Sequence, residues 1–169
     1  MEGAGAGSSR ASGGKAVGVP FVAKASLVLT RSFDAPRALV FRAWTDPTDL
    51  AQWWGPHGFQ TTIHEMTVKP GGRWHYSMRG PDGHDYPFDG VYIEVVEPER
   101  LVFDGNINGS PEQRVWTEVS FAERGGKTEI TVRQLYSFES AATRGAPIGW
   151  SQQLDRLEEF VTRGKGKLR

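Results

Sequence analysis

Apolar and polar residues alternate along positions 25–33, which predicts a first β-strand. The spacing then becomes helical, with apolar side chains at Leu39, Val40, Ala43 and Trp44. A second short helix is predicted from Asp46, a typical N-cap residue, and Pro47, which suits the first helical position. Leu50, Trp53 and Trp54 supply its apolar face, and Gly55-Pro56 ends it.

Beyond this point the alternation returns and predicts further strands over 61–69, 73–79, 88–97, 101–104, 113–122 and 127–137. Residues 138–149 are interpreted as a loop. A last helix is predicted from about 147 to 163, because its apolar residues form one stripe, and Gly164 suits its end. The stripe consists of Trp150, Leu154, Leu157 and Val161.

This order predicts an α+β fold. An antiparallel sheet of about seven strands must bury one face, and the long C-terminal helix is the element that can cover it. The two short helices after the first strand would close one end. A curved sheet around a helix leaves a gap between them, where a ligand would bind.

Composition narrows the class of protein. The chain has 169 residues, no cysteine and a net charge of zero, so we expect one domain without disulfides or thiolate metal sites. Residues 1–20 are rich in Gly and Ser and are predicted to be a disordered tail, followed by a single domain over 21–163 and a basic tail over 164–169.

Charge and hydropathy exclude two kinds of partner. Residues 21–162 hold 14 basic and 19 acidic side chains, a pattern unlike that of a nucleic-acid-binding face. No apolar run is long enough to cross a membrane. The first 20 residues lack the apolar region of a secretory signal, so we expect a soluble cytoplasmic protein.

Four separated segments resemble a known superfamily: FDAPRALVFRAWTDPTDLAQWWGPHGF, HEMTVKPGGRWHYSMRGPDGHDYPF, VVEPERLVF and GWSQQLDRLEEF. They are similar to the SRPBCC (START-like, Bet v 1-like) proteins, and most to the subfamily resembling the C-terminal domain of the heat-shock chaperone ATPase activator. The resemblance covers about residues 25–162 and implies a helix-grip fold. Members of this superfamily include lipid carriers, hormone receptors, polyketide cyclases and co-chaperone modules, so the resemblance leaves the function open.

The leading hypothesis is a binding module for a small apolar or amphipathic molecule. Its walls are predicted to be Met66, Trp74, Tyr76, Met78, Ile93, Trp150 and Leu154, with His64 and Asp89 as polar anchors and Trp53 at the entrance. The alternative interpretation is that these side chains are core residues or satisfy polar neighbours.

Two other functions stay open: a protein-interaction module acting on a chaperone ATPase, and a polyketide cyclase or dehydratase using Tyr76, His64 or Asp89, with His64 as base and Tyr76 as donor. No His-x-His or His-Glu-x-x-His spacing, nucleophile elbow or phosphate-binding loop occurs. We therefore predict no metal, cofactor or nucleotide, and a monomer or weak homodimer.

Overall fold

A computed structural model describes residues 19–167, with side chains up to residue 163. The predicted N-terminal tail lies outside the described residues except for Val19 and Pro20. The elements follow the predicted order: β1 (Ala25–Phe33), α1 (Arg37–Thr45), α2 (Pro47–Trp53), β2 (Gln60–Met66), β3 (Arg73–Arg79), β4 (Asp85–Val96), β5 (Arg100–Ile107), β6 (Arg114–Arg124), β7 (Lys127–Tyr136) and α3 (Ala141–Lys167).

The strands form one curved antiparallel sheet in the order β1-β7-β6-β5-β4-β3-β2. Strands β1 and β2 are therefore the two edges, and the chain crosses between them through α1 and α2. Helix α3 contacts β1, α1 and α2 and covers the inner face of the sheet. This arrangement confirms the predicted α+β helix-grip architecture.

Helix α2 begins as the sequence predicts. The Asp46 side chain accepts hydrogen bonds from the backbone N–H groups of Thr48 and Asp49, and Pro47 occupies the first turn. These bonds satisfy two N–H groups that have no partner within a helix. The cap fixes the direction in which the chain leaves α1 and therefore positions the two tryptophans that follow.

Helix α3 is longer than predicted at both ends. It begins at Ala141, because Ser140 caps it: its hydroxyl accepts from Ala142 N–H, and its own N–H donates to the Thr143 hydroxyl. The loop interpretation of 138–149 is thus wrong over 141–149, and Pro147 lies inside the helix. Gly164 does not end it either, since α3 continues to Lys167, while residues 168 and 169 lie outside the described residues.

The core lies between α1, α3 and the half of the sheet formed by β1, β7 and β6. Its fully buried side chains include Phe33, Val40, Ile130, Val132 and Leu157. Within the described part of the chain, no helix is long and apolar enough to span a membrane.

Candidate functional site

A cavity of about 450 Å³ lies between the inner face of the sheet and the N-terminal half of α3. From the sheet it is lined chiefly by Trp74, Tyr76, Met78, Phe88, Phe103 and Val115. From α3 it is lined by Ala142, Thr143, Gly145, Ala146, Gly149 and Trp150. This volume is in the range of small-molecule binding sites.

Three aromatic rings form the floor of the cavity. Trp74 and Tyr76 stack with ring centroids 5.5 Å apart and planes 21° apart, and Tyr76 stacks on Phe88 at 5.1 Å and 22°. The Trp74 ring lies directly over two paired glycines of β4 and β5, Gly90 and Gly105. A Cβ atom at Gly105 would come within 2.4 Å of the indole, so a residue with a side chain there would displace the ring.

A hydrogen-bonded cluster joins α3 to the sheet at the cavity wall. The Gln134 Oε1 atom accepts from the Trp150 indole N–H at 2.8 Å and from the Tyr136 hydroxyl. Its Nε2 atom donates to the Thr117 hydroxyl at 2.9 Å. Both ends of this buried amide are thus engaged, which fixes the position of Trp150.

The loop that follows α2 is held by side chains of α3. The Arg156 Nη1 atom donates to the carbonyl oxygens of Trp54 at 3.2 Å, Gly55 at 2.8 Å and Pro56 at 3.1 Å. The Gly55 N–H donates to Gln153 Oε1 at 2.9 Å. Burial lowers the pKa of the Arg156 guanidinium from its usual value. These bonds bring Trp54 and Pro56 into the cavity wall.

The cavity wall carries no net charge. None of its lining residues, all within the described part of the chain, is Asp, Glu, Lys, Arg or His. Burial raises the pKa of the Tyr76 hydroxyl well above its usual value, so this group stays neutral. Two buried N–H donors of lining residues, Trp74 Nε1 and Gln153 Nε2, have no hydrogen-bond partner among the described residues.

Four of the predicted site residues, Trp74, Tyr76, Met78 and Trp150, line this cavity. Met66 lines a separate space of about 30 Å³, which Trp74 and Tyr76 also border. The remaining apolar candidates lie elsewhere. Trp53 is fully buried and donates its indole N–H to the Ala43 carbonyl, Leu154 is a core residue, and Ile93 is outside the cavity wall.

The two predicted polar anchors, His64 and Asp89, lie on the outer face of the sheet. His64 forms a hydrogen bond with Ser77, and Asp89 is the cross-strand neighbour of His75. Tyr76, which lies between His75 and Ser77 in β3, faces the cavity on the other side of the sheet. The prediction that both face inward is therefore wrong. The reason is an irregularity in each strand, between Ile63 and Glu65 and between Tyr92 and Glu94, which reverses the alternation of sides.

Sequence reasoning missed several residues of the cavity wall. Phe88 lies on the same side of β4 as Tyr92 by alternation and could have been found from it, whereas Trp54 is predicted only as part of the apolar face of α2. Gln134 and Gln153 carry no local signal, because their roles depend on contacts with residues distant in the chain. No group of three or more His, Cys, Asp or Glu side chains in the described part of the chain is placed to hold a metal ion.

A curved antiparallel sheet, a long C-terminal helix across it and a cavity between the two define a helix-grip protein. Residues 34–162 match the family described as Activator of Hsp90 ATPase homolog 1-like protein, and the chain belongs to this family. No curated protein matches the sequence.

Solved structures similar to this chain come from several bacteria. A protein from Chromobacterium violaceum superposes with a TM-score of 0.76 at 25% identity, covering 80% of this chain and 96% of that one. A protein from Mycobacterium smegmatis gives 0.71 at 25% identity, with 80% and 90% covered. The AHSA1 protein of Silicibacter pomeroyi gives 0.70 at 20% identity, with 83% and 99% covered, which is a likeness of fold.

Proposed function

We propose that this protein binds a small hydrophobic or amphipathic molecule between the sheet and α3. The observation that carries the proposal is the cavity of about 450 Å³ with its aromatic floor. Protein interiors are close-packed, and an apolar space of this size leaves its lining without contact atoms unless a ligand supplies them. Ligand binding would bury this surface.

The arrangement of the walls supports the same proposal. Trp150 is fixed by Gln134, and the loop carrying Trp54 is fixed by Arg156 and Gln153. Hydrogen bonds thus hold the Trp150 side chain and the backbone that carries Trp54. A preorganised wall of this kind lowers the entropy cost of binding.

The experiment is a fluorescence titration with N-phenyl-1-naphthylamine, an uncharged probe whose emission rises in apolar surroundings. We expect saturable one-to-one binding to the wild-type protein. The Ala146→Phe variant adds a large side chain at the cavity wall and should lose binding, while Ile148→Phe, on an exposed position of the same helix, should keep it. Equal binding by both variants would show that the probe binds elsewhere.

Native mass spectrometry of protein purified from its own host provides a second measurement. A mass excess that disappears on denaturation would identify a natural ligand. The Ala146→Phe variant should carry no such excess, because the same side chain occupies the space.

A second candidate function is an interaction with a chaperone ATPase, and the observation that favours it is family membership over 34–162. Its test is the ATPase rate of the host's chaperone with and without this protein; an unchanged rate would refute it.

The cyclase hypothesis has less support. Only Tyr76 of its proposed residues lines the cavity, while His64 lies on the outer face of the sheet.

A further inference from the structure

We infer that the cavity selects uncharged, planar aromatic molecules over carboxylates and over flexible chains of equal size. The inference rests on the proposed ligand-binding function and specifies its ligand class. Two features of the described residues carry it: the charge of the wall and the orientation of its rings.

The wall offers no counter-charge to an ionic ligand. Its lining residues include no acidic or basic side chain within the described part of the chain. The nearby cation, Arg156, is already bonded to the carbonyl oxygens of Trp54, Gly55 and Pro56. A carboxylate that enters the cavity would lose its water without gaining an ion pair, which is strongly unfavourable.

The orientation of the rings favours a flat ligand. Trp74, Tyr76 and Phe88 form one near-parallel aromatic stack along the floor. Trp54 stands edge-on at one side, at 74° to Tyr76 and 86° to Trp150. Aromatic rings gain from offset-stacked and edge-to-face contacts with such surfaces, and a rigid ligand loses little conformational freedom on binding.

The test is displacement of N-phenyl-1-naphthylamine at pH 7.5 by three compounds that have the same number of non-hydrogen atoms. These are 2-acetylnaphthalene (planar, uncharged), 2-naphthoate (planar, anionic) and 2-dodecanone (flexible, uncharged). We expect 2-acetylnaphthalene to compete at least about tenfold better than 2-naphthoate. The free energy lost by burying an unpaired ion is larger than the difference that a tenfold ratio in affinity represents.

Charge selection is tested by Met78→Arg, which places a cation in the cavity wall, against Ser77→Arg, which places it on the opposite face of the same strand. The first variant should improve competition by 2-naphthoate about tenfold or more, and the second should leave it unchanged. A gain of this kind does not arise from misfolding. Equal responses of the two variants would overturn the inference.

Shape selection is tested by Phe88→Leu, which removes one ring of the aromatic stack and keeps an apolar side chain. We expect 2-acetylnaphthalene to weaken about two- to tenfold, the range of one aromatic contact, and 2-dodecanone to be unaffected. Each ligand is compared between the variant and the wild-type protein, so the different solubilities of the two ligands in water do not affect the result.

The outcomes separate the two proposals. If the reporter fails to bind the wild-type protein, the proposed function fails and this inference fails with it. If the reporter binds but 2-naphthoate competes as well as 2-acetylnaphthalene, or Phe88→Leu weakens both uncharged compounds equally, the selectivity is overturned and the binding function stands.

Discussion

The two halves of α3 face the same sheet but make opposite contacts with it. Toward the C-terminus, Leu154, Leu157 and Val161 are at most 2% exposed and pack into the core. Toward the N-terminus, the residues over the sheet are mostly small, and a cavity lies beneath them. These small residues are Ala142, Gly145, Ala146 and Gly149. The size of the α3 side chains thus decides where the helix packs against the core, the packed half, and where it covers a cavity, the open half.

The difference also shows how the open half keeps its place. Because most of its side chains over the sheet are small, its position depends on the hydrogen bond from Trp150 to Gln134, and Arg156, at the junction with the packed half, holds the loop after α2. Hydrogen bonds fix geometry without filling space. The packed half therefore supplies stability, and the open half supplies a site of defined shape.

The largest expected effect is in the packed half. Leu157→Ala would leave a space among fully buried side chains, and we expect the free energy of unfolding to fall by about 2–5 kcal/mol. Chemical denaturation measures this loss. Glu158→Ala, at the neighbouring exposed position, should change stability by no more than about 0.5 kcal/mol. A small loss for Leu157→Ala would mean that this half repacks and is not solid.

Occupying the open half should stabilise the fold next most strongly. At a probe concentration of about 100 times the dissociation constant, the gain is about 2.7 kcal/mol, and the melting temperature rises accordingly. Hydrogen exchange should slow mainly in residues 141–150, which cover the cavity. Equal slowing in residues 154–161 would contradict the division of α3 into a packed and an open half. The same slowing in Ala146→Phe as in the wild-type protein would contradict it as well.

Arg156→Met tests the bonds at the junction of the two halves. The variant leaves the carbonyls of Trp54, Gly55 and Pro56 without their donor, and we expect a loss of about 1–3 kcal/mol in unfolding free energy. Probe affinity should fall as well, because Trp54 is then less firmly positioned. Arg144→Met, on an exposed position of α3, is the control and should affect neither measurement.

The smallest expected effect is a gain from Gly145→Ala. A Cβ atom at this helical position meets no heavy atom within 4 Å, and alanine favours a helix over glycine by about 1 kcal/mol. Thermal denaturation should therefore show a slightly more stable protein that still binds the probe. A destabilised variant would argue that residue 145 is not helical in solution.

The sequence predicts most of the fold because each element carries a local signal. Alternation marks the strands, and Asp46-Pro47 marks the start of α2. The N-terminal part of α3 has no such signal, since Gly145, Pro147 and Gly149 are typical of loops. It is helical because Ser140 caps its first turn and Trp150 is bound to Gln134.

The candidate site is less predictable than the fold, for a reason of register. One extra residue in a strand exchanges the sides of every residue beyond it, and the sequence does not mark such positions in β2 or β4. Strict alternation along β2 would therefore put His64 and Met66 on the same face of the sheet, but in the structure they lie on opposite faces. Residues on β3, which pairs with β4 without a shift, are placed correctly, as Trp74 and Tyr76 show.

The glycine pair beneath Trp74 has a consequence for redesign. Gly90 and Gly105 sit opposite each other on adjacent strands, and the indole occupies the place where two side chains would stand. The depth of the cavity is therefore set by backbone positions as well as by the helix above. Larger side chains on α3 would therefore restrict the cavity to smaller ligands without changing the sheet. A side chain at either glycine would displace the Trp74 indole and disturb strand pairing at the same time.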